Sequence, residues 1–582
     1  MLKDLTYSSL PKVVTENLKS KFRARELSTY NRHRTFPNRI AFNQEATSHL
    51  SIGDQLLFDL FGQGPIVDVP YECMHFAFEA YAAAQPDAIA VEHLGDTITY
   101  GELDRQANRL AARMAQQGVK TGDNVAIFLQ RSIPMVVGIM AALKAGASYV
   151  PQHVGAAPKA HLEYVLEVAS IDVILTLSHL QDQVPVSEGR TLIAVDEFMQ
   201  EPFADDQEFV EPFVPETAVT RDNTCYIIFT SGTTGKPNGV QVTHGNAANL
   251  LLTAPGNLGI RPGLKVGQIL SIAFDMAVWE ILGALSNGAT LVIRGKNLMD
   301  VVRQVDVVIS TPSILATFDA DQCHNVKTVA VAGEPCPPPL ADKWSSFCAF
   351  YNSCGPTEVT IVNTAEQHTP SKEYLTIGKP TPNNTVYILN EKMEPCVTGE
   401  IGEMWAGGDC VSAGYIGNEA LTNERYVPDP FLGNGRMMFR TRDLGRWTDT
   451  GELEHFGRTD DQVKVRGFRV ELDSVSAALE SAERCKRALA LKLDSRHLVG
   501  FVSPCTVDTD EARQAVADTL PYYATPKFVL AMPELPMTSR GKIDKRMLIK
   551  VAVAYDLSTL DSQASSLEEV NICSKVTSMS MK

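Results

Sequence analysis

The sequence predicts an α/β fold with largely parallel sheets, divided into at least two domains. Short apolar runs at 125–129, 173–177 and 307–309 alternate with helical segments, and this alternation is typical of buried parallel strands covered by helices. The length of 582 residues exceeds what one hydrophobic core usually serves. A polar, turn-forming cluster at 457–462 separates a large first part from a final unit of roughly 90 residues.

The sequence predicts four segments along the chain. Residues 1–68 begin polar and basic and then carry a helix-like stretch at 55–61, so we interpret them as an appended segment or interdomain linker. Residues 69–459 are expected to form the large domain and residues 460–553 the small one. Residues 554–582 are rich in serine and threonine and poor in aromatic side chains, which predicts a flexible tail or linker.

Composition excludes several classes of protein. The formal net charge of -17 argues against nucleic-acid binding as the main function. The longest apolar stretch, 135–143, is stopped by Lys144 and is too short to cross a bilayer, so we expect no membrane segment. The 11 cysteines are scattered with no C-x-x-C pair, which gives no support for a zinc site and implies a reducing compartment. We therefore expect a cytoplasmic protein.

The clearest local motif joins an apolar strand to a loop of glycine and hydroxyl residues. The loop residues are Thr230, Ser231, Gly232, Thr233, Thr234, Gly235 and Lys236. Small residues let backbone N–H groups approach an anion, and the hydroxyls and the ammonium add donors, so this loop is typical of a phosphate-binding site. It departs from the P-loop pattern at Thr230 and Pro237, which disfavours a P-loop ATPase. For an isolated motif, an ordinary glycine-rich turn is the alternative.

Seven motifs follow one another in the order found in one family. They are LKAGASYVP at 143–151, YIIFTSGTTGKP at 226–237, NSCGPTE at 352–358, RTRDLGRW at 440–447, GRTDDQVKVRGFRVE at 457–471, LPYYATP at 520–526 and GKID at 541–544. Through them the sequence resembles the adenylate-forming superfamily, and specifically adenylation domains of nonribosomal peptide synthetases. The resemblance implies a large N-terminal domain of layered α/β sheets, a small mobile α+β C-terminal domain, and ATP in the cleft between them.

The resemblance also assigns nucleotide-binding roles. Asn352 is expected to read the adenine amino group, and Asp443 to accept hydrogen bonds from both ribose hydroxyls. Arg458 is expected to support the ribose and phosphate region. Cys354 and His455 stand where family members place side chains against the adenine ring.

Three further residues receive roles in the reaction. Glu358 resembles the family's Mg²⁺ ligand, and a hard oxygen donor beside a triphosphate is what Mg²⁺ prefers. Thr230 is expected to assist it. Lys542 resembles the lysine that the small domain delivers to the reacting carboxylate and phosphate oxygens. Asp460 matches the hinge, where backbone rotation swings the small domain between an adenylating and a thioester-forming arrangement.

The substrate class depends on Asp275. In amino-acid-activating members this position holds the substrate's α-ammonium, for which a carboxylate is the natural partner. The other pocket positions are Met276, Trp279, Ser310, Ala330, Ala332, Ser353, Ile361 and Val362. Because several of these are small, the pocket is expected to be roomy. The sequence at 64–73 resembles fungal hydroxamate-siderophore synthetases, which suggests an N5-acyl-N5-hydroxyornithine as the substrate.

Several residues depart from the family pattern. Asn238 replaces a second loop lysine, Cys354 an aromatic residue, Arg442 a glycine before Asp443, and Arg540 an asparagine before Gly541. The resemblance and these four departures from it leave two alternatives open. One is an acyl-CoA ligase of the same superfamily, which Asp275 argues against, and the other is a catalytically degraded docking module.

The resemblance also implies partners. The phosphopantetheine thiol that receives the acyl group is expected on a separate peptidyl carrier domain, because no Gly-Gly-x-Ser carrier signature occurs near the C-terminus. Residues 1–68 resemble the segment that follows a condensation domain, so a neighbouring condensation domain is the second expected partner.

Overall fold

The computed structural model describes residues 42–155, 157–202, 212–232, 236–370, 372, 375–433, 435–537 and 543–562. The strands in these ranges are β1 (Ile89–His93), β2 (Asp96–Thr99), β3 (Asn124–Ile127), β4 (Ser148–Pro151), β5 (Val173–Thr176), β6 (Thr191–Ala194), β7 (Thr224–Thr230), β8 (Asn238–Thr243), β9 (Lys265–Gln268), β10 (Thr290–Ile293), β11 (Val307–Ser310), β12 (Thr328–Val331), β13 (Ala349–Cys354), β14 (Thr364–His368), β15 (Lys379–Pro380), β16 (Asn384–Leu389), β17 (Gly402–Gly408), β18 (Tyr426–Pro428), β19 (Met437–Trp447), β20 (Leu453–Arg458), β21 (Gln462–Val465), β22 (Phe468–Glu471), β23 (Arg487–Lys492), β24 (Leu498–Ser503) and β25 (Phe528–Ala531).

The α-helices in the same ranges are α1 (Ile52–Phe61), α2 (Met74–Ala84), α3 (Tyr100–Gln116), α4 (Ile133–Lys144), α5 (Lys159–Val168), α6 (Val195–Gln200), α7 (His244–Leu251), α8 (Asp275–Leu285), α9 (Leu298–Val302), α10 (Pro312–Leu315), α11 (Pro338–Ser345), α12 (Glu419–Arg425), α13 (Leu472–Glu480), α14 (Thr509–Thr519) and α15 (Lys545–Ser562).

Two large sheets form the core of the large domain. One has the strand order β15-β14-β13-β12-β11-β9-β10-β1-β2 and the other β6-β5-β3-β4-β7-β8. Their inner strands pair in parallel, while antiparallel pairs stand at the edges, such as β1 with β2 and β7 with β8. The predicted α/β fold with largely parallel sheets is therefore confirmed.

Helix α4 lies between these two sheets and shows why the layers form. It contacts β3 and β4 of one sheet and β1 of the other. Its residues from Met135 to Lys144 are buried, because an apolar sequence on every side of a helix suits a position covered on both faces. The ammonium of Lys144 is buried with them and is paired with the carboxylates of Glu79 and Asp104.

A third sheet carries three of the predicted ATP residues, Asp443, His455 and Arg458, and packs against the N-terminal segment. Its strand order is β16-β17-β19-β18, with β20 paired to β19. Phe42 and Phe58 of the segment pack against Tyr387 and Phe431, with ring centroids 5.1 to 6.2 Å apart. The described part of the predicted appended segment thus packs on the sheet that contains Asp443.

The small domain is an α+β unit built around the sheet β23-β24-β25. Alternating side chains of β23 enter two apolar clusters: Ala490 joins a cluster with α13 and α14, and Leu491 joins one with α15. The antiparallel hairpin β21–β22 projects from this unit toward the large domain. The predicted pairing of a large layered domain with a smaller C-terminal one is confirmed.

The exact domain limits remain predictions. The limit at 459/460 falls between β20 and β21, which belong to different sheets. Helix α15 continues to Ser562, past the limit at 553, and the remainder of the predicted tail, 563–582, lies outside the described residues. In the part of the chain that is described, no helix is both long enough and apolar enough to cross a membrane.

Candidate active site

A cleft of about 960 Å³ lies between the large and small domains. On the large-domain side it is bordered by residues at the carboxyl ends of β9, β12 and β13, which is where open parallel sheets usually bind ligands. Residues far apart in the sequence therefore meet in one cavity. The residues predicted from sequence that line it are Asp275, Met276, Ala332, Asn352, Ser353, Cys354, Ile361, Asp443, His455, Arg458 and Asp460.

Asp443 lies at the predicted ribose end of the cleft. Its Oδ1 accepts a hydrogen bond from Arg458 at 2.7 Å, and His455 Nε2 is 3.3 Å from the same oxygen. The N–H of Gly457 donates to His455 Nδ1, so Nε2 carries the imidazole proton and donates to Asp443. Burial raises the pKa of Asp443, but the His455 bond and the Arg458 charge outweigh burial and hold that pKa below its usual value. An ionised acceptor suits a pair of ribose hydroxyls.

Asn352 and Cys354 lie at the predicted adenine end. The Asn352 amide nitrogen donates to the carbonyl of Thr376 at 2.6 Å, an orientation that presents the amide oxygen as the acceptor for an amino group. Burial raises the pKa of Cys354 to about 12, so its side chain is a neutral thiol. Cys354 lines the cleft where the family pattern has an aromatic ring.

The described residues of the predicted phosphate loop are closely packed. A Cβ on Gly232 would lie 2.2 Å from the carbonyl oxygen of Lys236, so only glycine fits there. Asn238, which replaces the second loop lysine, accepts a hydrogen bond from Asn418 at 3.1 Å. Lys236 is exposed, with its ammonium 5.8 Å from the ring centre of Tyr164. Thr233, Thr234 and Gly235 lie outside the described residues.

Glu358, the predicted Mg²⁺ ligand, is fully buried and forms an ion pair with the small domain. Arg469 Nη1 lies 2.9 Å from both carboxylate oxygens, and the Tyr415 hydroxyl donates to Oε1 at 2.7 Å. Burial raises the pKa of Glu358, but the charge of Arg469 and the bond from Tyr415 hold it below its usual value. The carboxylate is therefore ionised in the folded protein.

Glu358 and Thr230 carry oxygen donors of the kind that a nucleotide-bound Mg²⁺ takes. Such an ion usually takes one or two protein ligands and completes its shell with phosphate oxygens and water. The Glu358 carboxylate and the Thr230 hydroxyl, 8% exposed, are donors of the right kind. Among the described residues there is no group of three or more His, Cys, Asp or Glu that could hold a metal on protein ligands alone.

Asp275 is the first residue of α8 and lines the cleft together with Met276, another of the predicted pocket residues. Its side chain is bonded to that of Thr357. Burial raises the pKa of Asp275, and the Thr357 bond and the charge of Lys464 offset only part of that rise. A cation bound beside Asp275 would lower its pKa and favour the ionised form.

Four predicted pocket residues are buried behind the cleft lining. Trp279 donates its indole N–H to the carbonyl of Gly256 at 2.6 Å, and Ser310 donates to the carbonyl of Thr311 at 3.1 Å. Ala330 and Val362 are fully buried and likewise do not line the cleft. Contact of these four residues with a substrate stays a prediction.

The hairpin β21–β22 fills the small-domain side of the cleft. Phe468 stacks on Tyr523 at 4.3 Å and packs against Phe274 of the large domain at 4.7 Å. Lys542 lies outside the described residues. Its described neighbour Ile543 packs with α15 on the other face of the small sheet, away from the hairpin.

Some cleft residues were not predicted from the sequence. Arg131 and Arg294 line one wall and donate to the carbonyl of Ile269, and His153 lies beside them. These three residues lie in connecting segments outside the seven motifs, and nothing in the neighbouring sequence marks them as site residues. Three other cations, Lys464, Arg466 and Arg469, lie inside the motif at 457–471, and this concentration of positive charge in one hairpin was the available signal.

Comparisons with known proteins identify the family of this chain. Residues 78–416 match the model of the AMP-binding enzyme family. Adenylate-forming reductase 06235 of Coprinopsis cinerea is 47% identical over 509 residues, which are 87% of this chain and 49% of that protein. The nonribosomal peptide synthetase aclP of Aspergillus oryzae is 34% identical over 498 residues, which are 85% of this chain and 30% of that protein.

Solved structures show the same fold. PA1221, a nonribosomal peptide synthetase protein with adenylation and carrier domains, superposes with a TM-score of 0.72 at 23% identity and covers 85% of this chain and 85% of its own. The fused adenylation–carrier protein NpsA-ThdA from Klebsiella oxytoca gives a TM-score of 0.70 at 23% identity and covers 84% of this chain and 97% of its own. The chain spans about half the length of the two adenylate-forming reductases that it matches.

The family match, the order of the motifs and the interdomain cleft lead to one classification. The chain belongs to the AMP-binding enzyme family, and the enzyme class predicted from its sequence, an ATP-dependent adenylating ligase related to nonribosomal peptide synthetase adenylation domains, is confirmed at the level of that family.

Proposed function

We propose that this protein activates an α-amino acid with ATP and transfers the aminoacyl group to the phosphopantetheine thiol of a carrier domain. The observation that carries this proposal is the half-buried Asp275, which lines the same cleft as Asp443 and Asn352. The Asp275 carboxylate fits a substrate that has an ammonium group next to the carboxylate to be activated. The carrier domains in PA1221 and NpsA-ThdA support the choice of acceptor.

The chemistry divides into two displacements. An oxygen of the substrate carboxylate attacks the α-phosphorus of ATP, and the bond to pyrophosphate breaks. The carrier thiolate then attacks the acyl carbon, and AMP leaves with the electrons of the acyl–oxygen bond. Bound Mg²⁺ would neutralise phosphate charge in the first displacement.

The protein's own groups act mainly by position and charge. Asp275 would hold the ammonium, while Asp443 and Asn352 would fix the nucleoside. Lys542 would stabilise negative charge on the reacting oxygens, as the family resemblance implies. A reducing, cytoplasmic location fits a reaction that consumes ATP and needs a free thiol.

For the acid itself we propose an amino acid with a long side chain, of which N5-acyl-N5-hydroxyornithine is the specific candidate. The small cleft residues Ala332 and Ser353 support a roomy pocket, and a hydroxyl on Ser353 offers a hydrogen bond to a polar side chain. Siderophore synthesis beside a condensation domain is the biological setting that this substrate would imply.

A second candidate function concerns the fate of the thioester. Two relatives that share 47% and 45% identity with this chain are named adenylate-forming reductases. We therefore infer, as the alternative, that the loaded acyl group is released by reduction: a hydride donor would deliver hydride to the thioester carbonyl, a proton would be taken up, and an aldehyde and the free thiol would form. Assaying the complete natural polypeptide for aldehyde formation with ATP, acid and nicotinamide hydride donors tests this alternative.

The main proposal is tested by acid-dependent exchange of labelled pyrophosphate into ATP. The panel contains the common amino acids and N5-acylated hydroxyornithines, followed by transfer assays with a phosphopantetheinylated carrier or with CoA. Exchange with one class of amino acid and transfer to the carrier support the proposal. Preference for CoA would instead favour an acyl-CoA ligase, and ATP binding without exchange would favour a degraded docking module.

A further inference from the structure

The side-chain amide of Asn352 is held in one orientation by a backbone carbonyl. Its nitrogen donates to the carbonyl oxygen of Thr376 at 2.6 Å, and both residues are buried. Because a carbonyl oxygen can only accept hydrogen bonds, it selects the nitrogen end of the amide and leaves the oxygen end for the cleft. If this carbonyl moved away, the amide could rotate and present a donor instead. The position of Thr376 therefore decides which kind of nucleobase edge Asn352 can read.

Glu366 fixes the position of Thr376. Its Oε2 accepts the backbone N–H of Thr376 at 2.7 Å, and the same oxygen accepts the Thr376 hydroxyl. The side chain of Glu366 is only 2% exposed. Glu366 lies directly opposite Asn352 in the antiparallel pair β13–β14, so the two side chains stand on the same face of the sheet. The carboxylate thus holds Thr376 by two bonds beside the amide that it orients.

Lys372 links Glu366 to the third sheet. Its ammonium lies 2.7 Å from Oε1 of Glu366 and 2.7 Å from Oε1 of Glu452. Burial lowers the pKa of Lys372, but its bonds to the two carboxylates outweigh burial and hold that pKa above its usual value. Glu452 directly precedes β20, the strand that carries His455. The ion pairs therefore connect the adenine end of the cleft with the strand at its ribose end.

The segment around Thr376 forms part of the cleft wall. Leu375 and Ile377, on either side of Thr376, line the same cleft as Asn352. The N–H of Ile377 donates to the carbonyl of Leu453 at 2.8 Å, which fixes the segment from the side of β20. The seven sequence motifs contain none of the residues that hold Thr376. The contacts alone show that a charged network supports this wall.

We propose that Glu366 is a positioning residue for nucleotide recognition: by holding Thr376 it keeps the oxygen of the Asn352 amide toward the cleft, and so makes the enzyme select a purine with an amino group. This inference rests on the proposed use of ATP and on the adenine-binding role expected for Asn352. Glu366 does not touch the nucleotide in this account, since it acts through Thr376 and Asn352. Guanine, which carries an oxygen where adenine has its amino group, would face an acceptor and bind poorly.

The test compares two nucleotides that differ only in the adenine amino group. Binding of Mg·ATP and of the magnesium complex of purine riboside triphosphate, which lacks that group, is measured by titration calorimetry without any acid substrate. The unmodified protein is expected to bind ATP about tenfold more tightly. Glu366→Met removes both acceptor oxygens and should reduce this ratio to about twofold or less. Glu366→Gln keeps one oxygen for the Thr376 N–H and should retain part of the ratio.

Asp429→Leu is the matched control. Asp429 is also buried and accepts two backbone N–H groups, those of Phe431 and Leu432, but it does not line the cleft. Its replacement is expected to lower the stability of the fold and to leave the ratio of the two affinities unchanged. A general loosening of the fold would weaken both nucleotides equally, so the ratio separates positioning from stability.

Thr376→Val gives a second test if Glu366→Met does not fold. Valine keeps the volume of threonine and removes only the hydroxyl that bonds to Glu366. This variant is expected to lower the ratio of the two affinities by about twofold. In the exchange assay, KM for ATP should rise in the same variant while KM for the amino acid stays unchanged.

Two results would overturn the proposal. A ratio that stays unchanged in every folded variant at positions 366 and 376 would leave Glu366 with a structural role only. Equal affinity of the unmodified protein for the two nucleotides would show that Asn352 does not read the amino group. Absence of exchange with every acid would contradict the proposed function instead, while the ratio of the two affinities would still decide whether Glu366 positions the amide.

Discussion

Arg458 and Asp460 form a two-point ion pair, with Nε 2.8 Å from Oδ1 and Nη2 2.9 Å from Oδ2. The third nitrogen of the same guanidinium donates to Asp443 at 2.7 Å. The predicted hinge residue and the predicted ribose carboxylate therefore share one arginine. Rotation of the backbone at Asp460 therefore changes the hydrogen bonds of Arg458, and Arg458 in turn is bonded to Asp443, which is expected to bind the ribose.

Replacing Arg458 by lysine should weaken ATP binding, because an ammonium cannot reproduce the three directed hydrogen bonds of the guanidinium. We expect KM for ATP in the exchange assay to rise about tenfold, equivalent to about 1.4 kcal/mol. The control is Arg440→Lys, since Arg440 makes a similar two-point pair with Glu403 on the same sheet but does not line the cleft. Equal effects of both changes would contradict the role given to Arg458.

Introducing an aromatic residue at Cys354 should strengthen ATP binding. The thiol lies where the family places a ring, and a ring packed on the adenine is worth about 0.5–1.5 kcal/mol. Cys354→Tyr is therefore expected to lower KM for ATP by about two- to tenfold in the exchange assay. Cys348→Ser, outside the cleft lining, is the control. An unchanged or higher KM would show that the adenine does not lie against this position.

Arg442 occupies a left-handed backbone conformation, with φ at 62°. This explains why the family pattern has glycine before Asp443, since a side chain there costs about 1–2 kcal/mol. Its guanidinium pairs with Glu424 at 2.7 Å, which offsets part of that cost. In urea unfolding we expect Arg442→Gly to be more stable than Arg442→Ala by about 1 kcal/mol. Equal stability of the two variants would argue against strain at this position.

Two buried histidines should make the fold sensitive to acid. Burial lowers the pKa of His244 to about 3 and that of His75 well below its usual value, and their rings lie 5.2 Å apart. In the folded protein these imidazoles stay neutral, whereas in the unfolded chain they bind a proton below their ordinary pKa of 6.5. The stability of the fold is therefore unaffected by them above pH 6.5 and decreases as the pH falls from 6.5 toward the folded pKa. We expect the free energy of unfolding to fall by about 1.4 kcal/mol per pH unit for each histidine below pH 6.5.

Urea unfolding at a series of pH values checks the acid sensitivity. The variant His75→Leu should show a shallower decline of stability below pH 6.5 than the unmodified protein. His179→Gln, at an exposed position, should leave the slope unchanged. Identical slopes for all three proteins would contradict the assignment to the buried pair.

The parts of the fold that sequence could predict are those with local signals. Apolar runs such as β5 and β11 are recognisable because a strand buried on both faces needs a continuous apolar sequence. Asn352, Asp443 and Arg458 were placed in one cleft because each lies in an ordered motif. The order of the motifs predicted that these three residues meet in one cleft, whereas composition alone could not predict it.

The remaining features depend on contacts between distant residues. The apolar stretch around Phe58 indicates that this ring is buried, but nothing local to Phe42 or Phe58 identifies Tyr387 as the residue that they pack on. The pairing of Glu358 with Arg469 joins residues 111 positions apart and depends on how the small domain is seated. Sequence motifs identified Glu358 as a member of the site but not Arg469, and the motifs do not specify which domain arrangement brings the two together.

The central claim, that Asp275 selects an α-amino acid, is tested most directly with pairs of acids that differ only in the α-amino group. Pyrophosphate exchange is measured for each amino acid and for its counterpart without the amino group, with the unmodified protein and with Asp275→Ala. The account predicts exchange with the amino acid alone, and loss of that preference in Asp275→Ala. Equal exchange with both members of a pair, or a preference that survives in Asp275→Ala, would contradict it.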